Sequence, residues 1–263
     1  MARVTLSNNI TLNCKVDGPE GSPWLVMSNS LGADLSMWDN QISMLTAKYR
    51  VLRYDARGHG ESDAPTGPYS FDDLLEDVIV LLDHHKIKTA DWIGISKGAM
   101  TGMGLAIKHP ERFGRMVLAN ARAVATDEYK AMWDQRIEAV TSGGMEAIAD
   151  GSLGLWFTEG WRAANPKATA VARMMILGTD PQGYIASCQA LRDLDYLKDL
   201  GSVSLPVLYV CGSEDKGAPP EDMQVVAKVT PGSTYVEIEG AAHIANINQA
   251  DAFNMTIAKF LGL

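Results

Sequence analysis

Short apolar runs alternate with longer stretches of helical periodicity along most of this chain, and that alternation admits few architectures. Residues 24–27, 51–54, 92–95, 116–119 and 207–210 are compact runs rich in Val, Ile, Leu and aromatics, as strands buried on both faces require. Residues 10–16 alternate in the manner of an edge strand, and residues 235–238 supply the last strand. Between them, residues 71–84 place Leu74, Leu75, Val78, Leu81 and Leu82 at helical spacing, and residues 99–109 and 250–261 also read as helices. Strands separated by helices predict an α/β chain with a mostly parallel sheet covered by helices on both faces.

One stretch breaks the rhythm. From about residue 127 to 200 there is no strand pattern, only helical segments punctuated by Gly143-Gly144, Asn165-Pro166 and Asp180-Pro181. Strand patterning then resumes, which predicts a helical cap inserted after the sixth strand. Residues 1–121 and 201–263 would form the core and residues 122–200 the cap, a size that suits one large domain with an insertion.

A formal net charge of −9 argues against nucleic acid or an anionic membrane surface as partner. Five histidines and three cysteines are too few and too scattered to suggest a metal site. Cys14, Cys188 and Cys211 form no C-x-x-C pair, and an odd count of buried thiols suits a reducing compartment. The N-terminus lacks the basic start and apolar stretch of a secretory signal. No run reaches the roughly 20 apolar residues of a membrane span; the best, residues 91–107, holds Lys97 and several glycines. A cytoplasmic setting is expected.

Gly94-Ile95-Ser96-Lys97-Gly98 is a G-x-S-x-G sequence. Such a pentapeptide is common by chance, but this one follows a strand and opens a helix, as a nucleophile elbow must. The flanking glycines allow close chain approach where a Cβ would clash. Ser96 is therefore the expected nucleophile. A serine hydroxyl at neutral pH needs a base, and of His59, His84, His85, His109 and His243 the last is best placed, after the final strand and before the final helix. His59 reads as a structural residue of the Arg57-Gly58-His59-Gly60 turn, and the other three as solvated helix ends.

The acid that orients the base is expected between nucleophile and histidine, at a strand end. Glu214 and Asp215 qualify, with Asp215 preferred. The alternative position after residues 116–119 carries Asn120-Ala121-Arg122 and offers no acid. The oxyanion hole is expected to combine the N–H groups of Lys97 and of Leu31, in the loop Ser28-Asn29-Ser30-Leu31-Gly32.

With these residues in view, the chain resembles the 3-oxoadipate enol-lactonases of the α/β-hydrolase superfamily over nearly its whole length. The resemblance is carried by the segment from Ser28-Asn29-Ser30-Leu31-Gly32 to Trp38, by Arg53-Tyr54-Asp55-Ala56-Arg57-Gly58-His59-Gly60, and by the elbow. Gly212-Ser213-Glu214-Asp215 with Pro219-Pro220, and Ala242-His243-Ile244-Ala245-Asn246-Ile247, complete it. Lys97, Ala99, Asn120-Ala121-Arg122 and Lys216-Gly217-Ala218 depart from the family pattern. The resemblance implies the α/β-hydrolase fold with an eight-stranded sheet, and an enzyme that opens an enol-lactone ring without a cofactor. A substrate of that kind is a small anionic ester or lactone, so a cation is expected at the pocket, with Lys97, Arg122 and Arg136 as candidates. Trp133 and Trp156 in the cap are expected to line an apolar wall. A carboxylesterase, another lactonase or a carbon–carbon bond hydrolase are the nearest alternatives, and a non-catalytic binding protein on this fold is a further one. Epoxide hydrolases and haloalkane dehalogenases need an aspartate where Ser96 stands.

Overall fold

The computed structural model describes residues 2–263. Eight strands form one sheet in the order β1-β2-β4-β3-β5-β6-β7-β8. They are β1 (Ala2–Thr5), β2 (Thr11–Asp17), β3 (Trp24–Ser28), β4 (Arg50–Tyr54), β5 (Ala90–Ile95), β6 (Phe113–Ala119), β7 (Val207–Gly212) and β8 (Thr234–Ile238). The β1–β2 and β2–β4 pairs are antiparallel, and the other pairs are parallel. The run at residues 10–16 is thus not the edge: β1, with four residues and one buried side chain, lies outside it. So short a strand leaves almost no pattern to read.

The connecting helices are α1 (Asp39–Leu45), α2 (Phe71–His84) and α3 (Lys97–Lys108), then α9 (Pro220–Val229), α10 (Ala245–Asn248) and α11 (Ala250–Leu261), with α4 to α8 between β6 and β7. Helix α2 forms because Leu74, Leu75, Val78, Leu81 and Leu82 bury one face, and Ser70 and Asp73 close a reciprocal capping box at its start. It packs on α3, which covers β5 and β6, while α1 packs against α10 and α11. Gln41 fastens that second group by donating to the Asn246 carbonyl and to Asn254. Helix α3 begins at Lys97, two residues before the apolar pattern starts, because the elbow itself supplies its first turn.

The strandless stretch contains α4 (Asp127–Gly143), α5 (Glu146–Trp156), α6 (Glu159–Ala164), α7 (Pro166–Leu177) and α8 (Pro181–Arg192). Its breaks fall where the sequence puts them. Gly144 ends α4 at φ 64°, Pro166 opens α7, and the Asp180 carboxylate caps α8 through the Gly183 N–H at 2.8 Å. The two ends of this insertion are tied together, since Tyr196 N donates to Ala123 O at 2.7 Å and Ala125 N to Leu194 O at 2.8 Å. No described helix is long and apolar enough to cross a membrane. Cys14, Cys188 and Cys211 are buried, unpaired thiols.

The sheet brings distant segments together at one rim. Ser28 pairs with Gly94, Ile95 with Ala119, Ala119 with Val210, and Gly212 with Ile238. Residues that follow these strands therefore lie side by side at their carboxyl ends, where open α/β sheets bind ligands.

Candidate active site

Ser96 occupies φ 55°, ψ −119°, a region that side chains other than glycine avoid. The surroundings enforce it. A Cβ on Gly94 would lie 2.3 Å from the Gly98 carbonyl oxygen, and one on Gly98 would lie 2.2 Å from that of Ser28. Only glycines permit this crossing, and the Ser96 N–H is pinned to Ala119 O at 2.8 Å. The strain holds the hydroxyl at the amino end of α3, whose first N–H groups have no acceptor within the helix.

His243 reaches that hydroxyl from the loop after β8, with Nε2 2.8 Å from Ser96 Oγ. Its Nδ1 lies 2.9 and 3.0 Å from the two carboxylate oxygens of Asp215. With Nδ1–H donating to Asp215, Nε2 is left to accept the serine proton. Asp215 is 3% exposed. Burial alone would raise its pKa, yet its pairing with His243 and the hydrogen bonds it accepts hold the carboxyl below the usual range. Those bonds come from Gly217 N at 2.8 Å, Ala218 N at 3.0 Å and Asn120 Nδ2 at 2.9 Å. Glu214 is exposed and the carboxylate paired with His243 is Asp215.

Over Ser96 and His243 lies a small cavity, walled by Leu31, Met100, Met132, Leu155, Trp133 and Trp156 among others. Both tryptophans expected in the wall are there. Arg136 also lines it, with Nε 2.9 Å from Tyr184 Oη and Nη2 2.5 Å from Ser152 Oγ. Its guanidinium lies 5.7 Å from the Trp133 ring and 5.9 Å from the Tyr184 ring. These partners are neutral, so the arginine charge is not cancelled by a carboxylate contact. The Ser28–Gly32 loop, which contributes Ser30 and Leu31 to the lining, is fixed by Asn29, which donates to Tyr54 O at 3.1 Å and accepts from Trp38 Nε1 at 2.9 Å.

Two candidate cations are elsewhere. The Lys97 backbone begins α3, but its side chain is 2% exposed and Nζ sits 3.2 Å from each ring nitrogen of His59. It turns into the protein and does not line the cavity. Burial brings its ammonium down to about 7, and burial together with Lys97 depresses His59 well below its ordinary range. Arg122 is also outside the cavity, in an adjoining outer groove. Asp222 captures it at 2.6 Å, Gly217 O accepts from its Nε at 3.0 Å, and it lies 5.1 Å over the Tyr129 ring.

Asn120, Tyr184 and Ser152 belong to the site and were not among the expected residues. For Asn120 the sequence carries a signal, since it occupies the alternative strand-end position for the acid and bears an amide there. Tyr184 and Ser152 sit on helices whose periodicity says nothing about which face meets a ligand.

A family profile described as alpha/beta hydrolase fold matches residues 23–250. The chain is 38% identical to 3-oxoadipate enol-lactonase 2 of Acinetobacter baylyi, covering 95% of this chain and 93% of the relative. It is 33% identical to 3-oxoadipate enol-lactonase 1 of the same organism, over 98% and 96%. The crystal structure of the enol-lactonase from Burkholderia xenovorans superposes over 100% of both chains with a TM-score of 0.96 and 38% identity. By fold, length and sequence, this chain is a hydrolase that belongs to the 3-oxoadipate enol-lactonase family of the α/β-hydrolase superfamily.

Proposed function

We propose that the protein opens the ring of 3-oxoadipate enol-lactone, or a close analogue, through an acyl-enzyme on Ser96. Ser96 Oγ attacks the lactone carbonyl as His243 Nε2 takes its proton, and Asp215 stabilises the imidazolium that forms. The N–H groups of Leu31 and Lys97 receive the oxyanion of the tetrahedral intermediate. The ring C–O bond then breaks and His243 returns the proton to the leaving enol oxygen. That enol stays tethered to the acyl group and tautomerises to the ketone. Water, deprotonated by His243, attacks the ester carbonyl and releases Ser96 and the free acid. No cofactor enters the scheme.

The observation that carries the choice of an anionic lactone is Arg136, a cation with only neutral partners in a largely apolar cavity over the nucleophile. Its guanidinium fits a carboxylate at the far end of a small substrate. Trp133 and Trp156 supply the apolar walls. With a net charge of −9 the molecule as a whole does not attract an anion, so recognition falls to this one local charge.

The test compares an enol-lactone carrying a carboxylate with a neutral chromogenic ester. Ser96→Ala is expected to leave only the ~10³–10⁴-fold residual rate over water that binding and the oxyanion hole provide. Arg136→Met is expected to raise KM for the anionic lactone about tenfold or more while barely changing the neutral ester, as loss of a desolvated charge pair implies. Equal effects on both substrates would instead make this a carboxylesterase for neutral substrates.

A further inference from the structure

Arg122 stands at the carboxyl end of β6, yet its groups face the turn between β7 and α9 and not the cavity. That turn carries Asp215. Gly217 is bonded on both sides of its own backbone: its carbonyl accepts from Arg122 Nε at 3.0 Å, and its N–H donates to Asp215 Oδ1 at 2.8 Å. The next residue, Ala218, donates to the same oxygen at 3.0 Å. The turn runs close beside the base, since a Cβ added to Gly217 would lie 3.2 Å from His243 Nδ1. A displacement of Gly217 therefore shifts two of the donors that hold the carboxylate against the imidazole.

We propose that Arg122 is a positioning residue, which fixes the Gly217–Ala218 turn and through it the alignment of Asp215 with His243. This rests on the assignment of Ser96, His243 and Asp215 as the reacting triad. The guanidinium is itself held from two directions, by Asp222 at the start of α9 and by the face of Tyr129 on α4, so it braces the turn against both the core and the cap. A planar, five-donor cation can serve Gly217, Asp222 and an aromatic face at once, which an ammonium cannot. Asn120, two residues earlier, holds the other oxygen of Asp215, so the segment following β6 grips the acid on both sides.

Two substitutions isolate the hydrogen bond to Gly217. Glutamine places its amide nitrogen the same number of bonds from Cα as arginine Nε and keeps the donor. Methionine reaches as far without one, and both variants lose the ion pair with Asp222. On a neutral chromogenic ester, Arg122→Met is expected to lower kcat about tenfold or more, since a 1 Å misplacement of a catalytic group can cost ~10²-fold. KM should stay within about twofold, because no ground-state contact is removed. Arg122→Gln is expected to recover most of the loss. Should Arg122→Met fail to fold, Arg122→Leu takes its place. Equal rates for the glutamine and apolar variants would overturn the proposal, as would an effect confined to KM or one that merely follows thermal unfolding. Ser96→Ala is assayed alongside. If it retains turnover, the triad assignment and this inference fall together; if it is inactive while Arg122→Met is normal, only the inference fails.

Discussion

Glu214 and Asp215 are neighbours that differ by one methylene, and the end of β7 gives them opposite surroundings. Asp215 is buried among four donors, whereas Glu214 is solvated. Asp215→Asn is expected to lower kcat by about 10⁴-fold, because an amide favours the wrong imidazole tautomer. Glu214→Gln, measured in the same steady-state assay, is expected to stay close to wild type, and a reversed order would reassign the acid. These residues were legible in the sequence because each follows a strand, and the topology fixes their order along the chain. The contacts that align them were not. Asn120 meets Asp215 across 95 residues, and no local period marks such a pair. Arg122 has the right address for a substrate contact, at a strand's carboxyl end, but Asp222 lies closer to its charge than the cavity does.

At the scale of elements, the boundaries of the inserted helices follow from proline, glycine and side-chain caps that any reader of the sequence can find. Their seating on the core depends on single close approaches that leave no such mark. Gly58, at φ +75° in the turn after β4, meets Gly183 on α8 backbone to backbone, and a Cβ added to Gly183 would lie 2.3 Å from the Gly58 Cα. Tyr184 follows immediately and holds Arg136 in the cavity. Lifting α8 therefore disturbs Arg136, the proposed anchor for the substrate carboxylate, without touching the triad. Gly183→Ala is expected to cost about 1–3 kcal/mol, the usual penalty for overpacking, seen as a lower Tm. It should also raise KM for the anionic lactone more than for a neutral ester. An unchanged Tm would mean that α8 is not seated through this contact. The base is linked to the same layer, for Ile244 N donates to Trp156 O at 3.1 Å where α5 ends.

Across the whole molecule, the least expected feature is a lysine sealed behind the nucleophile, where the sequence makes it a candidate cation of the pocket. Lys97 finds no carboxylate among its hydrogen-bond partners, only His59, with Arg57, Asp55, Asp77 and Cys188 as the charged or titratable groups around it. Burial brings its pKa from an ordinary 10.5 to about 7. The consequence for stability has a definite sign. Between those two values the unfolded chain binds a proton that the folded chain does not, so stability rises with pH through this window. Above about pH 10.5 the lysine is neutral in both states and costs nothing as a charge; below about pH 7 the folded protein must bury the ammonium. His59 does not blur this window, because burial and the neighbouring Lys97 keep it neutral there. A tenfold change in proton affinity corresponds to about 1.4 kcal/mol, so the penalty at low pH is on the order of a few kcal/mol. Lys97→Met has similar reach and no charge, and it is expected to be the more stable protein at pH 6 by that order. Denaturant unfolding at pH 6, 7, 8 and 9 should show the advantage nearly level from pH 6 to 7 and then shrinking by about 1.4 kcal/mol per pH unit, because above the folded value of about 7 only the unfolded chain still binds the proton. A difference that stays constant with pH would show that Lys97 is not buried as a titrating amine. A methionine variant that is less stable throughout would show that the bond to His59 outweighs the cost of the buried charge.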